Sequence, residues 1–148
     1  MSSDQDRAYL KALNLISYRP RSVFEIQTTL KRHQFANSVI ESAITRLTDQ
    51  DYLNDHRFAL WFAQSRINHF RGPLIISRDL KTKGIEPSLI NQVLSELLPD
   101  QDSVRNLAQK LLQKKHLNPT NPQISHKAAQ YLARYGFPYS VTSQILSS

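Results

Sequence analysis

Three stretches of the chain decide its fold: LKRHQFANSVIESAI at 30–44, LKTKGIEPSLINQVL at 80–94 and LARYGFPYSVTSQIL at 132–146. They fall into register when Leu30 is stepped forward 50 residues to Leu80 and 52 more to Leu132. A period of that size marks a repeat architecture. Phe35, Ile85 and Phe137 then share one position, and Ser38, Ser88 and Ser140 another. Val39, Leu89 and Val141 align, as do Ala43, Val93 and Ile145, and Ile44, Leu94 and Leu146. Four residues before each leucine stand Ile26, Ile76 and Ala128, giving an i, i+4 pair on one helical face per unit. Gly84 and Gly136 follow their helices where a left-handed cap favours glycine; Gln34 holds that place in the first unit and should be strained or differently capped.

Working outward, a further helical stretch precedes each unit. Residues 5–18 carry Tyr9, Ala12, Leu13 and Ile16 at helical spacing. Residues 55–69 carry Phe58, Trp61 and Phe62, with Asp55 as expected N-cap. Residues 101–116 carry Val104, Leu107, Ala108, Leu111 and Leu112. Pro73 suits the first turn of its helix, where a missing N–H costs nothing. Strand signals are poor, with little alternation and no Asn-Gly or Asp-Gly hairpin. The expected fold is all-α: three tandem three-helix repeats at 1–50, 51–99 and 100–148, forming an elongated, curved molecule. A unit of about 50 residues is marginal alone, so stacking must supply the missing burial. The middle unit should therefore be apolar on two sides, as Phe58, Leu60, Trp61 and Phe62 around one helix suggest.

The 148 residues are 40% hydrophobic and 21% charged, which fits a folded protein. The absence of cysteine excludes disulfides, thiolate metal sites and a thiol nucleophile, and fits a reducing compartment. MSSDQDRAYLKALNL does not read as a signal peptide, and no stretch approaches the roughly 20 apolar residues of a membrane span. A cytoplasmic monomer with no membrane partner is expected. The net charge of +7 is unevenly placed: Arg105, Lys110, Lys114, Lys115, Lys127 and Arg134 stand after residue 102 without one acid. A one-signed block suits an anionic partner, or simply a solvated surface.

Constellations for chemistry are missing. Gly72, Gly84 and Gly136 are the only glycines, so no phosphate-cradling loop can be written. His33, His56, His69, His116 and His126 lack metal-ligand spacing. Asp49, Asp51 and Asp55 read better as turn and cap residues than as a metal or acid–base cluster. No catalytic residue, metal or cofactor is expected, and the protein is not read as an enzyme.

What remains is basic. Arg66, Arg71, Arg78, Lys81 and Lys83 crowd the middle unit; Lys110, Lys114, Lys115, Lys127 and Arg134 populate the last. These ten are the candidate contacts to a protein or nucleic-acid partner. Arg71 and Gly72 lie at a helix start, where backbone N–H groups attract anions. Neighbouring aromatics fall mostly at core spacing, which favours diffuse phosphate contact over base stacking.

The stretch YLND at 52–55 and RFALWFAQSRINHFRGPLIISRDLKTKGI at 57–85 resemble the RecX family, whose pattern is matched at Tyr52, Leu53, Asp55, Arg57, Phe58 and Arg66, then at Arg71, Gly72, Leu80, Lys83, Gly84 and Ile85. RPRSVFEIQTTL at 19–30 and YLARYGFPYSVTSQIL at 131–146 resemble its first and last repeats. Asp51 departs from the family's usual glycine and Asn54 from its first aspartate, both compatible with a turn. The resemblance implies a regulator that binds RecA filaments on single-stranded DNA and restrains filament growth, ATP turnover and strand exchange without covalent chemistry. The alternative reading is a stand-alone helical nucleic-acid-binding module that touches phosphates, with weak contact to single-stranded or duplex DNA.

Overall fold

The computed structural model describes residues 3–147, and among them the chain forms nine α-helices and no strand. They are α1 (Asp4–Tyr18), α2 (Val23–Arg32), α3 (Asn37–Asp49), α4 (Asp55–Asn68), α5 (Pro73–Thr82), α6 (Pro87–Leu97), α7 (Gln101–Lys114), α8 (Ser125–Arg134) and α9 (Tyr139–Ser147). Local chemistry sets several starts. Ser3 accepts the Asp6 N–H, Ser22 and Glu25 form a capping box, and Asp100 and Ser103 form another. Pro73 and Pro87 occupy first turns. The cap of α4 is Asn54 rather than Asp55: Asn54 accepts the Arg57 N–H, which leaves the Asp55 carboxylate free to accept the Val23 N–H at 2.8 Å.

The repeat is carried by three separate cores. Ala8, Ala12, Ile26, Leu30, Ala43 and Leu47 anchor the first. Phe58, Ala63, Ile76, Leu80, Ile90 and Val93 anchor the second, and Leu107, Leu111, Ala128, Leu132, Phe137 and Ile145 the third. Leu30, Leu80 and Leu132 are each fully buried, as are Ile26, Ile76 and Ala128 four residues earlier. Because the cores stay separate, the surface is large: 8930 Å², against about 7,750 Å² for a compact monomer of this mass.

The units join by one repeated contact, in which the start of a middle helix sits on the end of the next unit's middle helix. Ser22 Oγ, at the start of α2, donates to the Lys83 carbonyl at the end of α5 (2.8 Å). Gly72 N–H, at the start of α5, donates to the Tyr135 carbonyl at the end of α8 (2.7 Å), and Leu74 N–H to the Gly136 carbonyl (3.0 Å). Ser22 and Gly72 are equivalent repeat positions, as are Lys83 and Tyr135. The flanks differ. Ile67 and Leu98 belong to the packing of both the second and third cores, whereas the first and second cores share no side chain and the first joint sets Phe24 against Gly84 beside polar groups. Apolar cover of the middle unit is therefore continuous with a neighbouring core on one side only; on the other it is the single ring of Phe24, and Trp61 is 41% exposed.

The joints explain the glycines. Gly84 and Gly136 have φ of 77° and 93°, and a Cβ on either would meet Phe24 Cβ at 2.3 Å or Ile75 Cγ1 at 2.7 Å of the preceding unit. Gln34 has the same left-handed backbone (φ 68°), but no described unit stacks upon its turn, so a side chain fits. Gln34→Gly should raise stability by about 0.5–1 kcal/mol by relieving left-handed strain. Gly136→Ala should lower it by more than that, both read from urea midpoints.

At the first joint Glu25 receives Arg19, the Ser22 N–H and Lys83 Nζ (3.4 Å). Burial opposes ionisation of Glu25, but the hydrogen bonds from Arg19 and Ser22 and the charges of Arg19 and Lys83 outweigh it and hold its pKa below the usual carboxylate value. The shift of Asp55 is opposite: burial raises its pKa, Glu86 and Glu25 add to this, and the Val23 N–H partly offsets it. A depressed Glu25 contributes stability that is complete above about pH 5 and is lost as pH falls through the folded-state value. Glu25→Gln should therefore cost about 1–3 kcal/mol at neutral pH, with the gap to the native chain closing in acid unfolding series.

Candidate partner-binding surface

The ten basic candidates separate into two kinds. In the middle unit, Arg66 lies over the Phe62 ring at 4.2 Å and its Nε reaches Asp79 at 3.2 Å, tying α4 to α5. Lys83 pairs with Glu25 across the first joint. Arg78 also meets Asp79 at 3.2 Å, but its side chain is 70% exposed. Lys81 is exposed and has no ion-pair partner among the described residues. Arg71 spans the second joint: its guanidinium lies 4.2 Å from the Tyr135 ring centre and donates to the His69 carbonyl at 3.1 Å. The anion-capturing role expected of the Arg71–Gly72 helix start is corrected by that joint, because the Gly72 and Leu74 N–H groups are spent on carbonyls of the third unit.

In the last unit the five candidate cations lack acid partners among the described residues, while Arg105 pairs with Asp102. Lys110, Lys115 and Lys127 are exposed and without ion-pair partners among the described residues. Lys114 stands 5.0 Å over the Phe70 ring, and Arg134 lies 5.4 Å from the Tyr131 ring centre. The Tyr131 and Tyr135 rings are 5.9 Å apart. These half-buried tyrosines were not among the sequence candidates. Their signal was the Tyr-x-x-Arg-Tyr spacing, which puts both rings and Lys127 on one face of α8.

Among the described residues no three His, Asp or Glu side chains gather as metal ligands. Asp51 pairs with Arg57 at 3.2 Å and sits at φ 62°, and Asp55 is occupied by Val23. A cleft of about 600 Å³ beside α7 is lined by Gln109, Leu112, Gln113, His116, Leu117 and Asn118, with no carboxylate or hydroxyl nucleophile. Among the described residues no helix is long and apolar enough to cross a membrane.

Comparison with known proteins agrees with the first two units. The family model described as RecX, first three-helix domain, matches residues 8–47, and that of RecX, second three-helix domain, matches residues 54–94. The chain is 33% identical over 147 residues to regulatory protein RecX of Bacillus velezensis, covering 97% of this chain and 55% of that one. It is 34% identical over 146 residues to the Bacillus licheniformis protein of the same name, with the same coverage of each. The chain thus spans about half the length of these curated relatives. The crystal structure of RecX from Lactobacillus salivarius superposes with a TM-score of 0.81 at 26% identity, covering 97% of this chain and 95% of that one. A second crystal structure, of regulatory protein RecX, gives 0.80 at 29% identity, with coverages of 98% and 72%.

Arg66→Ala should cost about 1–2 kcal/mol through the lost ring contact and ion pair. Lys81→Ala should stay within about 0.5 kcal/mol. Thermal unfolding of the two variants separates structural charges from open ones.

Proposed function

The chain belongs to the RecX family, and on that premise we propose that it binds RecA filaments on single-stranded DNA and restrains their growth, ATP turnover and strand exchange. The observation that carries the reading is the long body with its open positive charge gathered in one unit. A row of three units has the reach to touch neighbouring subunits of a polymer. The open cations of the last unit, with Arg78 and Lys81 in the middle one, suit the anionic surface of a nucleoprotein filament. Arg66 acts in this account by bracing the middle unit, and Lys83 by holding that unit to the first. The effect requires no covalent chemistry: a rigid body laid across a growing polymer obstructs the addition of subunits.

The purified protein should slow RecA ATP hydrolysis on single-stranded DNA at or below equal stoichiometry. Reversing Lys110, Lys115 and Lys127 together to Glu should raise the concentration for half-inhibition at least about tenfold, the equivalent of about 1.4 kcal/mol. Undiminished ATP turnover at every ratio of the native protein would reject the proposal.

A further inference from the structure

We propose that the seam between the second and third units is a binding site for a short length of single-stranded nucleic acid, its bases stacking on Tyr131 and Tyr135 and its phosphates meeting Lys114, Lys127 and Arg134. The inference does not depend on the filament reading.

The geometry is an alternation of cation, ring, ring and cation. Arg71 is 4.2 Å from the Tyr135 centre, Tyr135 is 5.9 Å from Tyr131, and Arg134 is 5.4 Å from Tyr131. Planar guanidinium groups and aromatic rings are the two surfaces on which unpaired bases stack, whatever their sequence. Lys127 lies one helical turn before Tyr131, and Lys114 stands over Phe70, the residue preceding Arg71.

Two further observations favour this ligand. The first is charge matching. Arg19, Arg57, Arg66 and Arg105 each meet a carboxylate, but none of the cations on the seam has one among the described residues. No acid occurs from residue 103 to 147. The second is that the seam is held in advance. The Tyr135 carbonyl is fixed by the Gly72 N–H, and Phe70 is kept at φ 62°, a costly backbone for a bulky side chain. Groups already held in place lose less freedom on binding. An acidic protein face would use the charges and ignore the rings, and a duplex hides the faces of its bases.

The test uses the whole chain, without recombinase, in a fluorescence anisotropy titration at low salt. The probes are a labelled oligothymidylate, an abasic strand of equal length and a duplex. The natural strand should bind at least about tenfold tighter than the abasic one, the effect of one or two stacked bases. Tyr131→Leu, at a mid-helix position away from the joint, should remove most of that preference while leaving abasic binding unchanged. Tyr131→Leu with Tyr135→Leu should remove the rest. Equal affinity for the natural and abasic strands, tighter binding of duplex, equal competition by polyglutamate, or no binding at all would overturn the proposal. So would a preference that survives in a folded Tyr131→Leu variant. Because ATP hydrolysis by RecA is absent from this assay, failure here leaves the filament reading to its own experiment.

Discussion

Every helix begins with unpaired N–H groups and ends with unpaired carbonyls, and here the neighbouring unit answers them: backbone to backbone at the second joint, through the Ser22 hydroxyl and the Asp55 carboxylate at the first. The start of α2 meets the end of α5, and the start of α5 meets the end of α8. The positive end of one helix dipole therefore faces the negative end of the next, twice in succession. The three middle helices form a spine, and the other six pack around it in pairs. The spine converts three units, each too small to be comfortable alone, into a single row. It also decides where side chains are forbidden, since a Cβ on Gly72 would meet the Gly136 carbonyl oxygen at 2.5 Å.

The two joints use different chemistry for the same geometry. The first is mainly polar: Ser22, Asp55, Glu25 and Lys83 close it beside Phe24, and it consumes charges. The second rests on backbone hydrogen bonds and on the apolar side chains of Ile67 and Leu98, so few charges are needed there. The consequence reaches the surface. Seven cations of the first two units meet acids, whereas in the third only Arg105 does among the described residues. The asymmetry of charge along the sequence becomes an asymmetry along the body.

Much of this was legible in the sequence. Spacing alone placed Leu30, Leu80 and Leu132 in three equivalent cores, because burial of one helical face imposes its period on the residues that supply it. Gly84 and Gly136 were readable as left-handed caps, but the reason Gln34 can replace glycine was not, since it depends on which turns carry a neighbour. Arg66 and Lys83 looked like open cations because their acids lie 13 and 58 residues away in the chain. Pairings at such distances leave no local pattern. Tyr131 and Tyr135 were not singled out in the sequence, and only the fold brings Arg71 against Tyr135 from the preceding unit.

The central claim, that helix starts are capped by the neighbouring unit, is tested most directly by amide hydrogen exchange resolved by residue. First-turn amides ordinarily exchange fast because they lack internal partners. The account predicts that Gly72 and Leu74 exchange as slowly as amides inside α5, while Ser38, at the start of α3 with no side-chain cap, exchanges fast. Rapid exchange at Gly72 and Leu74, equal to that of Ser38, would contradict it.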